Sequence, residues 1–119
     1  MHQVCYFEIP AADTARARKF YGELFGWTFI EQTFGNTQYW TIKAGNGISG
    51  GLMERREQGQ PPLNYVLVAD LDSSLARAKS LGAEVLVDNT TLPAMGYFAI
   101  VLDTEKNSIG LWQADENAK

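Results

Sequence analysis

DTARARKFYGELFG at residues 13–26 and DLDSSLARAKSLG at residues 70–82 are two versions of one phrase, and reading them together decides the fold. Each opens on an aspartate, whose carboxylate accepts hydrogen bonds from the unpaired N–H groups of a first helical turn. Each closes on a glycine, which adopts the left-handed conformation that ends a helix. Between those signals Ala17, Phe20, Tyr21, Leu24 and Phe25 recur at helical spacing in the first copy, and Leu71, Leu75, Ala78 and Leu81 in the second. Both stretches are predicted as amphipathic helices, with these apolar stripes assigned to packing.

Outward from the first helix, Val4–Ile9 has strand character. Alternation puts Cys5, Phe7 and Ile9 on one face, suited to the helix, and Val4, Tyr6 and Glu8 on the other. Strand-like stretches follow at Trp27–Glu31, Thr37–Lys43 and Ile48–Met53, separated by the turn-forming pairs Gly35-Asn36 and Asn46-Gly47. The order is βαβββ. Residues 55–62, polar and ending in two prolines, read as a linker. Asn64–Ala69, the second helix, and strands near Glu84–Val87, Tyr97–Leu102 and Ile109–Gln113 then repeat the order at an offset of about 57 residues. The expected fold is therefore α+β, with module one at 1–54 and module two at 63–119. One helix covers only one face of each sheet, so two curled mixed sheets around a shared concave cavity are expected.

Composition limits the function classes. In 119 residues, Asp and Glu number 14 against 10 Lys and Arg, leaving no basic field to hold a nucleic acid. No apolar run approaches the ~20 residues of a bilayer span, and no signal-like segment opens the chain, so a cytoplasmic protein with no membrane partner is expected. The single cysteine, Cys5, reads as a small buried apolar side chain, with a reactive thiol as the lesser alternative.

FEIPAADTARARKFYGELFGW (residues 7–27) resembles the opening module of vicinal oxygen chelate proteins, the glyoxalase and bleomycin-resistance superfamily. YVLVADLDSSLARAKSLGAEV (65–85) resembles the second module, and VLDTEKNSIGLWQ (101–113) the closing strand pair. The branch it resembles most is related to lactoylglutathione lyase. In metal-using members each module supplies one ligand on its first strand and one on its last. Carried over, those positions are Tyr6, Leu63, Met53 and Gly110, none of them His, Glu, Asp or Gln. The resemblance therefore implies no metal and no cofactor, and with them neither lactoylglutathione lyase nor extradiol dioxygenase chemistry, both of which need the ion. It implies a homodimer, with modules closing within one chain or exchanging between two.

The candidate ligand site is the cavity face, with Tyr6, Glu8, Trp40, Met53, Tyr65 and Trp112 as its lining. Glu8 reads either as a ligand contact or general base, or as a structural carboxylate held by nearby donors. Tyr6 and Tyr65 combine an apolar ring with a polar tip and read as pocket or half-buried core. His2, the only histidine, stands too far from Tyr6 along its strand to complete a metal or triad site. The leading expectation is a metal-independent protein that binds a small organic molecule. The alternative is a metal-independent lyase- or isomerase-type enzyme with Glu8 as general base and a tyrosine facing the developing oxyanion.

Overall fold

The computed structural model describes residues 1–34 and 36–119, so the turn expected at Gly35-Asn36 lies, at Gly35, outside the described residues. The elements are β1 (Val4–Ala11), α1 (Thr14–Phe25), β2 (Thr28–Phe34), β3 (Thr37–Lys43), β4 (Ser49–Glu54), β5 (Leu63–Leu67), α2 (Leu71–Ser80), β6 (Glu84–Leu92), β7 (Gly96–Leu102) and β8 (Ser108–Ala114). The order is βαβββ twice, as the repeat predicts. By its contacts the chain divides into a first unit, Tyr6–Leu63, and a second unit, Asn64–Lys119 together with Met1–Cys5.

In the first unit β1 runs parallel to β4, while β4–β3 and β3–β2 are antiparallel. Asp13 caps α1, accepting from the Arg16 N–H at 2.9 Å, and Gly26 ends it at φ +73°. The core lies between α1 and the sheet: Ala11, Trp40, Ile42 and Leu52 are buried, with Phe7, Ile9, Trp27 and Phe29 packed against them. α1 meets this core along a different stripe from the expected one. Thr14, Ala17, Arg18, Tyr21 and Gly22 are its half-buried positions, while Phe20, Leu24 and Phe25 are exposed, each by more than half. The reason is Arg18. Its guanidinium lies 4.3 Å from the centre of the Trp40 ring, so a cation takes the place that periodicity reserves for an apolar side chain. Tyr21 then stacks on Trp27 at 5.3 Å, drawing the helix over the aromatic edge of the sheet.

The second unit repeats the topology, with β5 parallel to β8 and β8–β7 and β7–β6 antiparallel. Its helix is anchored differently. Asp70 caps α2, accepting from the Ser73 N–H at 3.0 Å, and Leu71 and Leu75 are buried against Val68, Ala99 and Val101. Burial of two leucines stabilises this unit by about 2–3 kcal/mol each, the contribution that α1 lacks in aliphatic form. The helix ends at Leu81, with Gly82 following at φ +105°. β6 continues through Leu92, well past Val87, and carries two register irregularities against β7.

Candidate functional site

Each sheet has a face turned away from its helix, and pairing register fixes which residues occupy it. In the first unit Glu8 stands opposite Gly51 and Pro10 opposite Met53 across β1–β4; Tyr39 stands opposite Met53 and Trp40 opposite Leu52 across β3–β4. Paired residues share a face. Tyr6, Glu8, Tyr39 and Met53 therefore lie on the helix-free face. Trp40 lies on the other, and the expectation that it lines the cavity is corrected: it is 6% exposed, in the α1 core beneath Arg18. A strand slipped by one residue exchanges its faces, and the β3 register cannot be read from spacing alone.

The residue on the helix-free face is Tyr39, which sequence reasoning passed over. Its hydroxyl donates to Glu8 Oε2 at 3.0 Å and lies 2.5 Å from the Tyr6 hydroxyl. The ring reaches β1 from β3 by crossing β4 at Gly51, where a Cβ would stand 1.7 Å from the Tyr39 oxygen. Only the missing side chain at Gly51 allows the three groups to meet. That glycine, opposite a tyrosine-bearing strand, is the signal in the sequence that points to Tyr39. Burial, then the negative charge of Glu8, raise the Tyr39 phenol far above its ordinary range; burial also raises that of Tyr6. Both phenols are therefore neutral at physiological pH. Alongside, Gln32 donates to the Thr41 hydroxyl at 2.9 Å.

The helix-free face of the second unit carries Tyr65, Phe98 and Trp112. Tyr65 is buried, meets Phe98 edge to face at 6.4 Å, and lies over Gly110, where a Cβ would come within 2.3 Å of its ring. Trp112 lies over Gly96 in the same manner. The Cys5 thiol donates to the Tyr65 carbonyl at 3.6 Å, and burial raises its pKa, which favours the packing reading over a reactive thiolate. The His2 N–H donates to the Leu67 carbonyl, tying down backbone while its side chain stays exposed. Elsewhere in this unit, a polar cleft of about 310 Å³ is lined by Asp70, Asp72, Asn89, Tyr97, Gln113 and Asp115. Its groups are engaged with one another: Asn89 donates to Asp72, Tyr97 to Asp115, and the Leu71 N–H to Gln113. Asn89 and Gln113 thereby hold the start of α2.

Register also revises one carried-over metal position. Glu8 pairs with Gly51 as Tyr65 pairs with Gly110, so the counterpart of Gly110 is Gly51, and Met53 corresponds to Trp112. The extra length of β6 and its irregular pairing account for the two-residue difference from the uniform repeat offset.

Two βαβββ units, each a mixed four-stranded sheet with one helix and a parallel pair between its first and last strands, define a duplicated-module class of α+β protein. Residues 3–38 match the family described as bleomycin resistance protein-like N-terminal. A glyoxylase-like domain-containing protein of Didymella fabae is 31% identical over 118 residues, covering 89% of each chain. The glyoxylase-named CFP32 protein of Mycobacterium tuberculosis is 24% identical over 94% of this chain, which spans about half its length, 46%. A glyoxalase/bleomycin resistance protein/dioxygenase superfamily member from Vibrio splendidus superposes with a TM-score of 0.73, at 13% identity over 95% of this chain and 99% of that one. The chain belongs to this glyoxalase/bleomycin resistance/dioxygenase superfamily, the vicinal oxygen chelate proteins.

The residues at the family's metal positions do not fit a divalent ion. Tyr6 is hydrogen-bonded to Tyr39, Leu63 has only an alkyl group, and Gly51 and Gly110 offer no side chain. The space beside each glycine is filled by the ring of Tyr39 or Tyr65. Among the described residues, no group of three or more His, Cys, Asp and Glu side chains is placed to share a metal. Among the described residues, no helix is long and apolar enough to cross a membrane.

Proposed function

We propose that this chain binds a small organic molecule on the helix-free face of its sheets, and does so without a metal ion. The observation that carries the reading is the trio Tyr6, Tyr39 and Glu8: an organised set of polar groups on a half-buried face, where the family's metal-using members place ligands and this chain places aromatic rings over glycine. Met53 adds an apolar, polarisable wall on that face, and Tyr65 and Trp112 give the second unit an aromatic face of its own. Native mass spectrometry of protein purified without added metal tests this, with chelator-insensitive melting alongside. Stoichiometric divalent metal on the folded chain sinks the reading.

A second reading makes the chain a metal-independent lyase- or isomerase-type enzyme. It is favoured by Glu8 itself, a half-buried carboxylate whose position is set by a phenol donor, as a general base requires. Glu8→Gln separates the two: the enzyme loses turnover with ligand affinity within about threefold, whereas the binding protein loses affinity and has no turnover to lose. The binding reading also includes a homodimer in the cytoplasm. The exposed Phe20, Leu24 and Phe25 of α1 are apolar surface that such assembly would cover. Light scattering on a 13.2 kDa chain distinguishes one copy from two.

A further inference from the structure

We propose that Asn46 is a site of spontaneous covalent modification: its side chain cyclises onto the Gly47 nitrogen, and water then opens the ring to aspartyl and isoaspartyl forms. The proposal stands apart from the ligand reading above.

Of the asparagines at 36, 46, 64, 89, 107 and 117, only Asn46 precedes a glycine. The fold places the Asn46-Gly47 pair within residues 44–48, the connection from β3 to β4. Gly45, Asn46 and Gly47 are exposed, and among the described residues no hydrogen bond holds any of the three. A Cβ built at Gly45 or Gly47 would meet no atom within 4 Å, so the space around Asn46 is open. With a glycine on each side, the rotation that brings the Gly47 nitrogen to Asn46 Cγ meets no neighbouring side chain. The other asparagines lack these conditions. Thr37, Tyr65, Thr90 and Ser108, which follow Asn36, Asn64, Asn89 and Asn107, carry a Cβ and lie in β3, β5, β6 and β8. The Asn89 amide also donates to Asp72 at 2.8 Å. Ala118, after Asn117, is buried and donates its N–H to the Asp115 carbonyl at 3.2 Å.

The Gly47 nitrogen gives up its proton and bonds to Asn46 Cγ. The Cγ–Nδ2 bond breaks, and that nitrogen takes up the proton and leaves as ammonia. A water molecule then adds across one C–N bond of the cyclic imide. Opening at Cγ leaves aspartate; opening at the Asn46 backbone carbonyl leaves isoaspartate, whose main chain runs through the former side chain. Nothing is oxidised or reduced, and amide plus water become carboxylate plus ammonium. Each product adds a negative charge to a chain of net charge −4, in the connection between the strands that carry Tyr39 and Gly51. The β3–β4 ladder ends at Ile42 and Gly50, outside the altered peptide, so the strand pair is retained.

The test follows residues 44–55, the tryptic peptide between Lys43 and Arg56, in the folded chain held at pH 8 and about 37 °C, with an unincubated sample as the blank. By mass spectrometry with electron-transfer fragmentation, Asn46 is expected to gain about 1 Da at least about tenfold faster than any other asparagine, giving both products. Gly47→Ala places its methyl in open space, outside the left-handed region, and is expected to slow the reaction at least about tenfold with melting unchanged. A chain unfolded in guanidinium reports the rate without tertiary restraint, and the folded rate is expected within about fivefold of it. Asn46 reacting no faster than the other asparagines, Gly47→Ala reacting as fast as the original chain, or a folded rate below that fivefold margin each overturns the proposal.

Discussion

The two units share a backbone plan and differ in what they place on the helix-free face. Glu8 and Tyr65 occupy equivalent positions, each on a first strand and each opposite a glycine of the parallel last strand. In the first unit that glycine is crossed by Tyr39, whose hydroxyl joins a polar trio; in the second it lies under the ring of Tyr65 itself, beside Phe98. The same vacancy in the backbone surface thus supports a hydrogen-bonded constellation in one case and an aromatic layer in the other. Duplication supplied the scaffold, and a few side chains made the halves chemically unequal.

That contrast is open to breakage, beginning with the largest expected effect. Gly96 in the second unit sits at φ +156°, and a Cβ there would come within 2.1 Å of the Gln113 carbonyl, which is backbone and cannot yield. Gly96→Ala is expected to lose about 4 kcal/mol by urea denaturation; a loss under about 1 kcal/mol would mean the β6–β7 turn relaxes freely. Next, Leu71→Ala should destabilise by about 3 kcal/mol and Leu24→Ala by no more than about 0.5. Equal losses would erase the distinction between a helix anchored by buried leucines and one held by Arg18 and aromatic edges.

Within the first unit, Tyr39→Phe is expected to lose about 1–2 kcal/mol, since it removes the central hydroxyl of the trio and leaves its partners to re-pair. Unchanged stability would show the trio to be incidental. The smallest effect is in the pH profile. Tyr39 and Tyr6 have folded-state pKa values raised above 10, so their contribution is complete below the unfolded value of about 10 and is lost as pH rises beyond it. Stability should fall above pH 10 by up to about 1.4 kcal/mol per unit for each such tyrosine, and more gently in Tyr39→Phe. A rise in stability over that range would reverse the assignment.

Most of the fold was legible because its signals are local. Asp13, Gly26 and Asp70 are terminal helix signals with a stereochemical cause, and alternation along β1 correctly separated Phe7 and Ile9 from Tyr6 and Glu8. What failed was non-local. The face of Trp40 depends on which residue of β4 it pairs with, and that register is set by a connection whose conformation the sequence leaves open. The exposure of Phe20, Leu24 and Phe25 depends on Arg18 finding Trp40 across the core, a contact that periodicity scores as a polar residue on the wrong side. The partner of Gly110 shifted to Gly51 because β6 is longer than a uniform repeat allows.

Gly51 also limits which substitutions this chain can accept. A carboxylate or imidazole placed at that position would collide with the Tyr39 hydroxyl. A single codon change there adds a donor and at the same time displaces the phenol that holds Glu8. A donor side chain at this position therefore needs at least two coordinated substitutions, one at Gly51 and one that moves Tyr39 out of its way. The absence of one side chain acts as a ratchet: small in structure, it means that any side chain placed at Gly51 must first displace the phenol that donates to Glu8.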